Sequence, residues 1–190
     1  PIREMLLDEE TAVVPDGISV VKAMNLLGLP AKERITGVDL ADKLLRRAGE
    51  QGKSVYLLGA KEEVVSALAQ KLKAQYPQME VRYKNGYGKD KDADFRDIEA
   101  FQPDLVLVAL GVPAQEKLIA RHLGNFSKGV FIGVGGSFDV LSGSKRRAPA
   151  LFVKTNTEWL YRILREPSRL GRFYRNNIKF LGEVRKEAKG

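Results

Sequence analysis

DLVLVALG (104–111) decides how this chain is read. Residues 105–110 are apolar without interruption, and a glycine closes the run. A strand with one face in water alternates apolar and polar residues, whereas a strand covered on both faces does not. The run therefore predicts a parallel-sheet strand with helices on either side. SVYLLG (54–59) and GVFIGV (129–134) repeat the pattern, and MEVRY (79–83) is a weaker example. Helical spacing fills the gaps. Val64, Val65, Leu68 and Leu72 fall on one face of a helix at about 62–75. A short helix is predicted near 93–100 and another over 114–123. Thr36-Gly37-Val38-Asp39 has capping-box spacing, with Asp in place of the usual Glu or Gln. It opens a helix carrying Leu40, Leu44 and Leu45. TAVV (11–14) reads as one more strand, closed by Pro15-Asp16-Gly17 and followed by a helix over 18–27. Before it, IREMLLDEE reads as the tail of a helix. Strands alternating with helices predict an α/β fold: a Rossmann-like, mostly parallel sheet with helices on both faces.

The 190 residues fit one sizeable domain plus an appendage, and 44% hydrophobic content supplies a core. The absence of cysteine excludes disulfides and thiolate metal sites. The single histidine, His122, argues against a histidine metal site or a Ser-His-Asp triad. It is expected at the surface or at a helix carboxyl end. No apolar run reaches the roughly 18 residues of a membrane span. No signal peptide is visible, which makes the cytoplasm the default expectation. The net charge is +8, yet residues 144–190 hold 13 Lys/Arg against 4 Asp/Glu, so the tail carries all the excess. Such asymmetry points to a polyanionic partner, either an anionic membrane surface or nucleic acid.

The tail has a pattern of its own. Arg162, Arg165, Arg169, Arg172, Arg175 and Lys179 recur every three or four residues, lining one side of a helix. Trp159, Ile163, Leu170, Phe173, Tyr174, Ile178 and Leu181 fall largely elsewhere. Pro167 removes an amide donor and clashes with the preceding turn, so two helices are expected to meet at Glu166-Pro167-Ser168. Basic amphipathic helices with aromatic residues lie on anionic lipid. The plainer alternative is a solvated helix packed on its own domain. The expected division is a Rossmann-like domain over 1–150 and a basic amphipathic appendage over 151–190.

Three strands end alike, in LLGA (57–60), ALGVP (109–113) and VGGSF (134–138). Ligands of open parallel sheets sit beyond the carboxyl ends of the strands. Glycine there lets a ligand approach the backbone, and amides at the next helix start can hold an anion. Gly59, Gly111, Gly135, Gly136 and Ser137 are thus candidates for a phosphate or nucleotide site. Glycine also ends strands for steric reasons alone. Gly133-Val134-Gly135-Gly136-Ser137 is not the dinucleotide fingerprint, and no P-loop motif is present. Asp139 could hold a ribose hydroxyl. Asp16, after a short apolar run, could be a general base or an ordinary turn aspartate. Arg34 could clamp phosphate or be a loop charge. Gln115, Glu116 and Lys117 open a helix beyond the strongest strand, where they could serve a ligand or be plain first-turn residues. Asp90 and Asp92 resemble a metal-binding pair, but KDKDAD reads better as a solvated helix start.

VPDGISVV (14–21), ERITGVDL (33–40), VYLLGA (55–60), NGY (85–87), LVALGVPAQEK (107–117), GVGGSFDVLSG (133–143), RRAP (146–149) and TEWLYRILREPSRL (157–170) occur in order. Together they resemble the WecG/TagA/CpsF family of bacterial glycosyltransferases, from about residue 4 to residue 175. The resemblance implies a Rossmann-like domain whose helical appendage completes the site at the membrane. It implies an inverting transferase that moves an N-acetylmannosamine-type sugar, or its uronic acid, from a UDP donor. The acceptor would be N-acetylglucosamine on undecaprenyl diphosphate, in teichoic acid, common antigen or capsule synthesis.

Carried over by motif, Asp16 would be the base on the acceptor hydroxyl. Arg34 and Gln115 would line the sugar and diphosphate site. Gly59, Gly111, Lys117, Gly135, Gly136, Ser137 and Asp139 would hold the UDP-sugar. Arg165, Arg169 and Arg172 would meet the lipid diphosphate or leaving group. No metal and no cofactor are expected, and a homodimer at the inner membrane face is. Family members begin with a further strand and a Thr-Pro-Asn segment that is not found before Pro1, so residues are expected to precede Pro1. The alternative is a non-catalytic nucleotide- or RNA-binding α/β module with a basic tail. An aromatic-poor sheet and the Asp16 motif weigh against it, and no nucleic-acid partner is expected. The missing fingerprint weighs against a nicotinamide dehydrogenase.

Overall fold

The computed structural model describes residues 4, 6–29, 31 and 33–188, with the side chains of Arg169, Arg172 and Asn176 outside the description. The helix expected over 2–10 therefore lies partly outside the described residues. The chain divides into two compact units. One runs over Gly37–Lys145, with the stretch before Val14. The other joins Val14–Thr36 to Arg146–Gly190.

The first unit is built on four parallel strands: β1 (Ser54–Gly59), β2 (Glu80–Lys84), β3 (Leu105–Ala109) and β4 (Val130–Gly133), ordered β2-β1-β3-β4. The register sets Leu57 beside Leu107 and Gly59 beside Ala109. Its helices are α2 (Gly37–Glu50), α3 (Glu62–Gln75), α4 (Lys91–Phe101), α5 (Ala114–His122) and the short α6 (Ser137–Leu141), numbered after α1 of the second unit. Strand geometry sends alternate side chains to opposite faces. Val55 and Leu57 of β1 and Leu105 and Leu107 of β3 join Ala41, Leu45, Val65, Leu68 and Phe138 from α2, α3 and α6. Tyr56, Leu58, Val106 and Val108 join Phe95, Ile98, Leu118 and Ile119 from α4 and α5. The sheet is thus covered on both faces, which is why β3 and β1 beyond Ser54 carry only apolar and aromatic residues. Burying each large apolar side chain contributes about 1.5–3 kcal/mol. The Tyr56 hydroxyl donates to Asp97 Oδ2 at 2.5 Å, and burial together with that carboxylate raises its pKa. Asp90, read as a solvated helix start, caps α4 by accepting from the Ala93 amide at 2.9 Å.

TAVV does not form a strand. Residues 11–16 are irregular, with Val13 66% exposed and Val14 39%. A strand needs a neighbour for its backbone donors and acceptors, and no described strand pairs with these residues.

The second unit contains α1 (Ile18–Leu26), α7 (Ala150–Lys154) and α8 (Glu158–Arg165). A 3-10 turn (Pro167–Arg169) leads to α9 (Leu170–Phe173), a π turn (Tyr174–Lys179) and α10 (Phe180–Glu187). The break at Pro167 falls where expected, with Glu166 extended ahead of the proline ring. α10 packs on α1, and Ser19 Oγ donates to Asn177 Oδ1 at 2.7 Å. Trp159 stacks on Phe173 with ring centroids 4.3 Å apart. The segment 14–36, read from sequence with the sheet, groups here with the tail helices.

Candidate functional site

In the sheet unit the chain leaves β1 toward β2 on one side, while β3 lies on the other. The crevice of such a sheet opens at the carboxyl ends of β1 and β3, where the direction of winding reverses. Gly59 ends β1 at φ +126, and a Cβ there would come within 2.4 Å of the Ala109 carbonyl oxygen. Only glycine lets these two strand ends close. Gly86 of the loop after β2 donates to the Ala60 carbonyl at 2.7 Å, resting that loop on the same edge.

Gln115 organises the neighbouring loops. It is 2% exposed, in the first turn of α5. Its Oε1 accepts from the Gly111 amide at 3.1 Å and from the Gly135 amide at 3.0 Å. Its Nε2 donates to Glu116 Oε1 at 2.8 Å. A single carboxamide thus ties the loop after β3 to the loop after β4. The close fit extends to Gly133, where a Cβ would lie 2.4 Å from Gln115 Nε2. The amides of Gly111 and Gly135, expected to face a ligand, therefore face Gln115. Gly111 and Gly135 hold positive φ of 82° and 50° in open surroundings, so the turn conformation favours glycine there. Ser137 is buried and donates its hydroxyl to the Val134 carbonyl at 2.6 Å. Gly136 precedes α6 and is exposed. Asp139, partly exposed, lies 3.8 Å from Lys145 Nζ through Oδ1. Lys117 is exposed on α5. Gly59, Gly111, Gln115, Gly135, Gly136, Ser137 and Asp139 thus share one edge of this unit.

The second unit holds the other candidates. The Ile35 amide donates to the Pro15 carbonyl at 3.0 Å. That bond sets Pro15 and Ile35, the chain neighbours of Asp16 and Arg34, against each other although 20 positions separate them. Asp16 is exposed. Arg34 is largely buried and donates through Nη2 to Glu158 Oε2, on the first turn of α8. Arg147 Nε approaches the other oxygen, Glu158 Oε1, at 3.7 Å. Glu158 was not singled out from the sequence, and Arg147 only as part of a basic cluster; a glutamate starting a helix usually serves the helix dipole. Arg165 is exposed and packs its guanidinium 5.7 Å from the Tyr161 ring centroid. The side chains of Arg169 and Arg172 lie outside the described residues. Leu170, Tyr174 and Ile178 are 58%, 60% and 52% exposed, forming an apolar stripe at helical spacing.

His122 ends α5, one of the two positions expected of it, but it is not at the surface. It is 8% exposed and stacked on Phe95 at 4.8 Å. Its Nδ1 lies 2.8 Å from Glu99 Oε1 and its Nε2 2.8 Å from Asp92 Oδ1. Asn125 and His122 hold the Glu99 carboxyl below its usual range, and His122 and Arg121 do the same to Asp92. The ring is buried because Phe95 offers it an apolar face while both nitrogens keep polar partners. The cluster joins α4 to α5 and contains none of the candidate site residues.

A parallel sheet with helices on both faces and glycine-closed strand ends, and a helical unit rich in arginine, define a protein of the Rossmann-like α/β class. Comparison with known proteins narrows this. Residues 2–190 match the model of the glycosyl transferase WecG/TagA/CpsF family, and the chain belongs to that family. A relative from Bacillus spizizenii is 40% identical over 170 residues, covering 89% of this chain and 66% of its own length. One from Staphylococcus aureus (strain MW2) is 39% identical over 168 residues, covering 88% and 66%. One from Bacillus subtilis (strain 168) is 39% identical over 165 residues, covering 86% and 64%. All three are named N-acetylglucosaminyldiphosphoundecaprenol N-acetyl-beta-D-mannosaminyltransferase. The chain spans just under two thirds of the length of these curated relatives.

Proposed function

We propose that this chain is the catalytic part of an inverting glycosyltransferase. It moves an N-acetylmannosamine-type sugar from a UDP donor to N-acetylglucosamine on undecaprenyl diphosphate. The names of the relatives support the acceptor and the sugar. The observation that carries the reading is the backbone bond between Pro15 and Ile35, which sets the stretch carrying Asp16 beside the stretch carrying Arg34. Asp16 takes the proton of the acceptor hydroxyl, as a carboxylate general base does. Arg34 faces the departing diphosphate, whose charge must be neutralised as the glycosidic bond breaks. Inversion follows when the hydroxyl attacks the face opposite the leaving UDP.

At the sheet edge, Gly59, Gly111, Gly135, Gly136, Ser137, Asp139 and Lys117 receive the nucleotide. Gln115 acts there by shaping the two loops that flank it. Arg165, Arg169 and Arg172 meet the lipid diphosphate, and the stripe Leu170, Tyr174, Ile178 rests on an anionic membrane surface. No described helix is long and apolar enough to cross a membrane, which suits a peripheral attachment. We further propose a homodimer and a role in cell-surface polymer synthesis. The test is transfer from a panel of UDP-sugars to a short-chain lipid-diphosphate acceptor. Asp16→Asn is expected to lower kcat by about 10²–10⁴-fold with UDP binding retained. Undiminished turnover would remove Asp16 as the base.

A further inference from the structure

Glu158 has no part in the chemistry above. It opens α8 and is 4% exposed. A carboxylate so buried requires cationic or hydrogen-bonding partners. It has two arginines, one on each oxygen: Arg34 on Oε2 and Arg147 on Oε1 at 3.7 Å. Their side chains are 10% and 31% exposed. The three residues come from separate stretches of the second unit: the loop before α2, the segment before α7 and α8 itself. Glu158 thus serves two guanidiniums at once. Stability gives little reason for such a group, because a buried ion pair roughly breaks even with apolar packing of the same volume. Orientation gives a better one. A guanidinium is a planar fork of five donors, and a carboxylate fixes the plane it engages. Arg34 is hydrogen-bonded to one oxygen of this carboxylate and Arg147 is held by charge at the other, and two guanidiniums on one carboxylate lie within the span of a single diphosphate, whose oxygens suit such forks.

We propose that Glu158 is a positioning residue that holds Arg34 and Arg147 in fixed orientation, and that Arg147 is a second diphosphate-binding residue beside Arg34. The inference rests on the sugar-nucleotide reading given above. Its test compares wild type, Glu158→Gln, Glu158→Asp and Arg147→Lys in the full chain, by transfer kinetics, thermal midpoint and titration with inorganic pyrophosphate. Glu158→Gln keeps the shape and removes the charge. It is expected to lower kcat about 10²-fold, as a misplacement of about 1 Å does, with KM for the UDP-sugar little changed. Glu158→Asp restores much of the lost rate. Arg147→Lys keeps the charge but loses the fork, and is expected to weaken pyrophosphate binding about tenfold with the thermal midpoint unchanged.

A merely structural Glu158 would lower the thermal midpoint and leave kcat of the folded enzyme alone. That result, or equal impairment of the Gln and Asp variants, would overturn the proposal. Should Glu158→Gln fail to fold, Arg147→Lys decides, and pyrophosphate binding equal to wild type would sink the idea. Should wild type transfer no UDP-sugar, the functional reading fails by itself. The pyrophosphate titration then still decides for or against the paired arginines.

Discussion

Gln115 shows how a residue can matter to a site without facing its ligand. The sequence places it in the first turn of a helix beyond the strongest strand, where it could as well be solvated. The fold makes it the acceptor for two amides 24 positions apart in the chain, Gly111 and Gly135. Gln115→Leu would leave both N–H groups without that acceptor, at a cost of about 2–4 kcal/mol. Urea denaturation should register this as a lower midpoint. Lys117→Ala, on the exposed side of the same helix, should stay within about 0.5 kcal/mol of wild type. Asp16 and Arg34 were legible as candidates because PDG and ERITG are distinctive strings. Their partners were not: nothing beside Arg34 in the chain announces Glu158. The helix-end position of His122 was legible, but its burial was not, since Phe95 and two carboxylates come from α4, far along the chain.

β1 and β3 are joined at both ends by specific contacts. At the carboxyl end Gly59 lies against the backbone of Ala109. Gly59→Ala would force a Cβ onto a carbonyl that cannot move without parting the strands. The expected loss is about 2 kcal/mol or more, measurable by thermal melting. At the amino end Asp104 Oδ2 accepts from the Ser54 amide at 3.0 Å and its hydroxyl at 2.9 Å, and Lys128 Nζ lies 3.1 Å from Oδ1. The Ser54 amide first, and then Lys128, hold the Asp104 carboxyl at about 2. This lies below the ordinary value of roughly 3.9, so the group contributes stability that is present above about pH 4 and is lost as pH falls through about 2. Asp104→Asn should therefore be less stable than wild type at pH 7, with the gap closing near pH 2. A gap independent of pH would refute the assignment. The strands and long helices matched their sequence patterns within a residue or two, because burial on one or both faces is written in local residue types. TAVV failed because a threonine and three apolar residues encode only a preference, whereas a strand also requires a partner.

The division of the chain was the least legible feature. Residues 14–36 pair with 146–190 through α1 on α10, Ser19 on Asn177 and Arg34 on Glu158. Ending the chain at Lys145 would strip 14–36 of these partners. Limited trypsin digestion of that shortened protein should then cut first at Lys22 and Arg34, whereas the full chain resists there. Equal resistance would show that 14–36 holds its place without the tail. The excess of positive charge in the last quarter was plain from composition, since charge is a sum that needs no coordinates. By itself the sequence determined the α/β class, the strand and helix positions, the basic tail and the family, because periodicity, charge and ordered motifs are all properties of a line of residues. Tertiary structure alone decided that Gln115 braces two loops, that Glu158 holds two arginines and that 14–36 joins the tail. Contacts such as Arg34–Glu158 and Ser19–Asn177 span 124 and 158 positions, and packing between segments so far apart leaves no local trace in either one.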